Sequence, residues 1–186
     1  MDVRTAIAAR RSIKQFTDRA VTREEISQLL DAAIQAPNHR MTQPVRFRVL
    51  GPQARHAYGA VLGARKAKKL EDPAAAQALI DKVATTESAI PATIAVTMTL
   101  DENPEIREED YASTFMAVQN LMLAAVELGL GSHLRSGAVM DDPRAREALG
   151  VPEGERIVAM LHLGEPATVP EAKPRRPVEE VTSWLP

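Results

Sequence analysis

Phe115-Met116-Ala117-Val118-Gln119-Asn120-Leu121-Met122-Leu123-Ala124-Ala125-Val126-Glu127-Leu128-Gly129 is the stretch that decides the fold. Only Gln119, Asn120 and Glu127 interrupt an apolar surface that runs almost all the way round, and the helical pattern extends back to about Ile106. A helix apolar on every face is enclosed, either in the core or against a second subunit. Gly129 follows where a residue in the left-handed conformation commonly ends a helix.

The remaining elements read outward from this helix. Ala92 to Leu100 is a β-rich apolar run that suits a central strand, and Arg156 to Leu163 is a second apolar strand. Val45-Arg46-Phe47-Arg48-Val49 alternates apolar and basic residues, the pattern of a half-buried strand. Gly131 to Arg135 reads as a short strand or extended turn. Asp2 can cap a helix over about 3–10. Thr22-Arg23-Glu24-Glu25 reads as a capping box, followed by Ile26, Leu29, Leu30, Ala33 and Ile34 at helical spacing. Pro37 stops that helix, because the residue before a proline is pushed out of the α region. Residues 53–70 and 73–86 read as helices, the first ending in a basic run, Arg65 to Lys69, that the helix dipole favours. Pro143 opens a brief helix that Gly150 closes. From Glu165 to Pro186, four prolines precede Trp184, so this tail reads as an extended arm. Helices and strands are interspersed without βαβ periodicity. The expectation is an α+β sandwich, a sheet of about four strands wrapped by helices, in one domain over 1–186.

Composition narrows the function classes. The 186 residues are 45% hydrophobic and 26% charged, ordinary for a globular protein. With only 3% aromatic residues, aliphatic and Met packing must fill the core. A formal net charge of −2 suggests no nucleic-acid partner. No run is long enough to span a bilayer, and Met1-Asp2-Val3-Arg4 lacks the apolar core of a signal peptide. There is no cysteine, hence no disulfide framework, thiolate nucleophile or Cys-metal site. A cytoplasmic location is the expectation by elimination.

Three segments gather groups that could do chemistry. Arg10-Arg11-Ser12-Ile13-Lys14-Gln15-Phe16 places three cations and a hydroxyl within five residues, and could neutralise a phosphate monoester through the arginine fork. Basic residues at a helix C-terminus also complement the dipole without any ligand. Ala36-Pro37-Asn38-His39-Arg40-Met41-Thr42-Gln43-Pro44 sets many donors on a backbone bounded by two prolines, and a plain polar loop is the other reading. Gly131-Ser132-His133-Leu134-Arg135-Ser136-Gly137 puts Arg135 and Ser136 at a strand end. Other chemistries lack their signatures. Leu128-Gly129-Leu130-Gly131 has Leu134 where a dinucleotide fingerprint needs glycine. The histidines His39, His56, His133 and His162 have no metal-like spacing. Ser12 and Ser136 lack a nucleophile elbow. The side chains suggest no protein nucleophile, which fits an enzyme whose reactive atoms belong to a cofactor.

The three segments, followed through Gln119-Asn120-Leu121-x-Leu123-Ala124-Ala125 and Leu161-His162-Leu163-Gly164-Glu165-Pro166, occur in the order found in nitroreductase-family flavoproteins. The chain resembles the small, single-domain branch of that family over nearly its whole length. The resemblance implies an α+β fold with a small, mostly antiparallel sheet, and a homodimer with one FMN in each of two interface clefts. It also implies a C-terminal arm that reaches towards the partner subunit. By matched position, Arg10, Arg11 and Ser12 would hold the FMN phosphate and ribityl chain, with Lys14 reaching towards the isoalloxazine. Gln35 and His39 would line the cleft where the partner helps enclose the flavin, and Leu134, Arg135 and Ser136 would complete the phosphate end. Ala124, Ala125, Val126, Glu127, Leu128 and Gly129 match a segment linked to NAD(P)H binding. Val45 and Leu134 stand where the family often has tryptophan, so two aromatics near the cofactor are missing. The implied activity is an FMN-dependent NAD(P)H oxidoreductase passing hydride to a nitroaromatic, quinone or similar acceptor in a ping-pong cycle. The alternatives are another flavin reaction hosted by the family (dehydrogenation, dehalogenation or flavin breakdown) or a flavin-binding module without turnover. In every case no metal is expected.

Overall fold

The computed structural model describes residues 1–186. Its elements run α1 (Val3–Ala9), α2 (Arg23–Ala33), β1 (Val45–Val49), α3 (Pro52–Ala67), α4 (Pro73–Ser88), β2 (Ala92–Thr99), α5 (Pro104–Glu127), β3 (Gly131–Arg135), α6 (Pro143–Ala148) and β4 (Glu155–Gly164). Four strands form one sheet in the order β1-β2-β4-β3, and every neighbouring pair is antiparallel. The α+β class expected from the sequence stands. The apolar run at Ala92 becomes one of the two interior strands, with every residue from Ala92 to Met98 buried.

Alternation along β2 splits the core in two. Ala92, Ile94 and Val96 face Leu29, Ala33, Val118, Leu121 and Ala125 of α2 and α5. On the opposite face, Ala95 packs with Tyr58, Leu62 and Val83 of α3 and α4. The α3–α4 contact is very close because two glycines lie in it. A Cβ on Gly59 would sit 2.7 Å from the Ala84 Cα, and one on Gly63 would sit 2.8 Å from the Ile80 Cα.

The long helix α5 is only partly enclosed within a single chain. Thr114, Ala117, Val118, Leu121 and Ala125 are buried, but Tyr111 and Met116 remain exposed. One stripe of α5 is therefore uncovered within a single chain. The arm after β4 has only a short 3₁₀ turn, Val178–Val181, and its Trp184 is 93% exposed. No helix is long and apolar enough to cross a membrane.

The capping box at α2 forms in full: the Thr22 hydroxyl accepts from the Glu25 N–H, and the Glu25 carboxylate accepts from the Thr22 N–H. Arg19 adds an ion pair to Glu25. Thr22→Ala is expected to lower stability by about 1 kcal/mol, read as a shift of the urea midpoint. An unchanged midpoint would show that the helix end is held by packing alone.

Candidate functional site

The first candidate segment leaves α1 and becomes a seam along the sheet. Asp2 caps α1 by accepting from the Thr5 N–H. After α1, the Ile13 N–H donates to the Ser132 carbonyl at 2.9 Å, and Ser12 bridges Ser132 in parallel register. Farther on, Phe16 bridges Pro166, and the Thr17 N–H donates to the Glu165 carbonyl. Residues 12–17 thus link the start of β3 to the end of β4. Ile13 is the anchor: it is buried, and it lies so close to Gly131 that a Cβ there would fall 2.5 Å from the Ile13 Cγ1.

This seam brings two predicted segments together. Ser12 pairs with Ser132 of β3, and Lys14 lies close enough to His133 to help depress its pKa. Arg10, Arg11 and Lys14 have no acidic partner. Arg11 serves the helix end through one of its nitrogens. Its Nη1 donates to the Ala8 and Arg10 carbonyls at 2.6 and 3.0 Å, closing α1. Its Nε is buried with no partner. The Ser132 hydroxyl beside it is likewise buried without a partner. The result is a cationic edge with spare donors, which is chemistry suited to a phosphate.

Arg135 at the end of β3 is tied elsewhere. Its Nη1 donates to Oε1 of Glu87, a buried carboxylate near the end of α4. The other Glu87 oxygen lies 3.0 Å from Nε2 of buried His162, off the line of a good hydrogen bond. His162 stands between Thr93 and His133 in cross-strand register, and its ring meets His133 edge to face at 6.1 Å. Burial alone would raise the Glu87 pKa, but His162 and Arg135 outweigh it and hold the carboxyl below its ordinary range. Burial, with the charges of His162, Arg135 and Lys14, pulls His133 below its ordinary range. Burial pushes the Tyr58 hydroxyl up to about 12, with Arg135 and Glu87 as opposing influences.

A pH dependence follows. Both Glu87 and His133 have folded-state pKa values below their unfolded values of about 4.5 and 6.5. Each contributes stability that is present above the unfolded pKa and is lost as pH falls through the folded pKa. The melting temperature is expected to fall from about pH 6.5 downwards, more steeply below about 4.5. His133→Gln should flatten the upper part of that fall, and an unchanged profile in that variant would exclude His133 as its source.

The second candidate segment builds a separate cavity of about 540 Å³, lined in part by Gln35, Asn38, Gln43, Val45, Arg46 and Ser113. Its loop is strained. Arg40, Met41 and Gln43 have φ of 59°, 53° and 47°, a region that non-glycine residues avoid. Polar bonds hold this shape. The Asn38 side-chain oxygen accepts from the Gln43 N–H at 2.6 Å, Thr42 donates to buried Asp110 at 2.5 Å, and Ser113 donates to the Pro37 carbonyl. His39 points out to solvent and pairs with Glu109 at 2.8 Å, holding that carboxyl below its ordinary range.

The two walls lie far apart within one chain. His39 is anchored at Glu109, in the first third of α5, while the Arg10–Lys14 seam docks on β3, beyond the far end of α5. The helix rises about 27 Å between Glu109 and Glu127. The segment Ala124–Gly129 is the C-terminal end of α5. Ala125 is in the core, Glu127 pairs with the amino terminus at 2.9 Å, and Gly129 takes the left-handed φ of 71°. Leu134 packs against the core, and Ser136 is exposed. Glu87 and His162 were missed in the sequence: one reads as a surface acid at a helix end, the other as an isolated histidine.

Comparisons with known proteins agree with this architecture. A family model described as the nitroreductase family matches residues 7–165. YfhC of Bacillus subtilis (strain 168), provisionally named an NAD(P)H nitroreductase, is 33% identical over 178 residues, covering 96% of this chain and 91% of that protein. A nitroreductase-like family protein from Bacillus cereus is 33% identical, with a TM-score of 0.85 over 100% of this chain and 96% of that one. A provisionally named nitroreductase of Desulfovibrio desulfuricans, solved in complex with FMN, is 26% identical, with a TM-score of 0.72 over 99% of this chain and 96% of that one.

Proposed function

Because the chain belongs to the nitroreductase family, we propose that it is an FMN-dependent NAD(P)H oxidoreductase whose cofactor lies between two copies of the chain. The observation that carries this reading is the Arg10–Lys14 seam, where three cations without acidic partners lie beside β3 and the Arg11 Nε is buried and unpaired. Those donors fit a phosphate monoester. Bound FMN would supply the redox chemistry, taking hydride from NAD(P)H at N5 and yielding it to a nitroaromatic, quinone or similar electron-poor acceptor.

The chain's own residues position and polarise. Arg10, Arg11 and Ser12 would hold the phosphate and ribityl chain, and Leu134, Arg135 and Ser136 would close that end. Lys14, exposed and cationic, would oppose negative charge on the bound flavin ring. Gln35 and His39 belong to the other wall, supplied by the partner copy. Support for two copies comes from the separation of the walls along α5, from exposed Tyr111 and Met116, and from an arm that leaves Trp184 and Leu185 uncovered. The end of α5, Ala124 to Gly129, takes the nicotinamide cofactor. Val45, at the mouth of the second cavity, leaves space where an aromatic would stack, so the acceptor site is open on that side.

Steady-state rates with NADH and NADPH against nitroaromatic, quinone and enone acceptors test the reaction. Parallel double-reciprocal lines are expected for the ping-pong order. Intersecting lines, or no turnover with any acceptor, would contradict it.

A further inference from the structure

The buried carboxylate of Glu87 has no part in the chemistry above, yet several features of the fold converge on it. It is 6% exposed at the end of α4. The helix can approach this closely only because α3 has glycine at position 59: a Cβ there would stand 2.9 Å from the Glu87 Cβ and 3.1 Å from its Cγ. His162, 4% exposed, flanks one carboxylate oxygen, and Arg135 takes the other. Arg135 uses only Nη1 in this pair, and its Nε and Nη2 have no protein partner. Neither atom is among the buried unpaired groups and the Arg135 side chain is 23% exposed, so these donors are open to solvent, and both Arg135 and Lys14 of the seam lie near enough to His133 to act on its charge. A planar fork clamped on one nitrogen offers its remaining donors in a fixed plane.

We propose that Glu87, buttressed by His162, is a positioning residue that holds the guanidinium of Arg135 with its free edge towards the FMN phosphate. This rests on the flavin reading above. A carboxylate in this place costs something in electrostatics, since its negative charge opposes a phosphate nearby. The proposal is therefore that orientation outweighs that repulsion, and the two effects predict opposite signs.

The test is titration of flavin-free protein with FMN and, separately, with riboflavin, which lacks the phosphate, followed by quenching of flavin fluorescence. Glu87→Gln keeps the shape and removes the charge. It is expected to raise the Kd for FMN about 10-fold, the scale of one charge-assisted hydrogen bond, and to leave the Kd for riboflavin unchanged. Glu87→Asp, which keeps the charge on a shorter stem, should fall between wild type and Glu87→Gln, and it serves if the glutamine variant does not fold. With Arg135→Gln already present, Glu87→Gln should add little. Equal loss for both flavins would show a merely structural role and overturn the proposal. So would unchanged FMN binding. Tighter FMN binding would show that Glu87 holds Arg135 away from the phosphate, which also overturns it. Wild-type protein that binds neither flavin would instead overturn the flavin reading itself, and this inference with it.

Discussion

Replacing Arg10 and Arg11 together by alanine is expected to weaken FMN binding by at least about 100-fold while leaving riboflavin binding nearly unchanged. Each arginine would give the phosphate a charge-assisted hydrogen bond worth about 1.5–3 kcal/mol, and about 1.4 kcal/mol is a factor of ten. The two residues differ in what else they do. Arg10 has no side-chain partner, so Arg10→Ala removes only a cation. Arg11 also closes α1 through the Ala8 and Arg10 carbonyls, so Arg11→Ala should lower stability as well. Arg11→Lys separates these roles, because lysine keeps the charge but loses the planar fork. Its FMN affinity should lie between those of wild type and Arg11→Ala. If FMN and riboflavin weaken together in the double variant, the seam is structural and the phosphate lies elsewhere.

The second large effect is expected from Gly131→Ala, a single methyl group. Gly131 does not adopt a positive φ, so the alanine causes no backbone strain. The three nearest atoms all belong to Ile13, whose Cγ1, Cβ and Cγ2 would lie 2.5, 2.8 and 3.0 Å from the new Cβ. Ile13 is β-branched and buried, so it cannot turn aside cheaply. Overpacking of this kind costs about 1–3 kcal/mol. Relief requires the 12–16 seam to lift from β3, which would carry Arg10, Arg11 and Lys14 away from Arg135. Urea unfolding should show the loss of stability, and FMN affinity should fall with it. The cause can be isolated with Ile13→Ala, which on its own leaves a cavity. Combined with Gly131→Ala, the two changes should cost less than their sum by at least about 0.5 kcal/mol. Strict additivity would show that the two residues do not meet.

Local signals in the sequence were sufficient where local physics decides the structure. Thr22 and Glu25 form their capping box because both partners lie within one turn. Ala92 to Met98 becomes an interior strand because helices cover both of its faces, so that even Thr93 and Thr97 are buried among its apolar residues. The stretch that opens the reading, Phe115 to Gly129, was clear as a helix. Its surroundings were not, since an apolar residue such as Met116 looks the same whether a core or a second subunit covers it.

The features least legible in the sequence depend on distant partners. Ser12 meets Ser132 far along the chain, so the cations at Arg10 and Arg11 looked like an ordinary helix end. Glu87 carries no local signal of burial, which depends on Gly59 on a different helix. Arg40, Met41 and Gln43 adopt left-handed conformations with no glycine to announce them, because Asn38, Thr42 and Asp110 impose the turn through hydrogen bonds. His39 and Arg10 were read as parts of one site, and the structure places their anchors at opposite ends of α5. A shared site then calls for a second copy of the chain.

The most direct measurement is the visible spectrum of the purified protein after incubation with FMN and removal of free flavin, recorded before and after anaerobic addition of NADH or NADPH. The account predicts a bound flavin spectrum that bleaches with at least one of the two nicotinamides. Protein that stays colourless after reconstitution, or a bound flavin that neither nicotinamide bleaches, would contradict it.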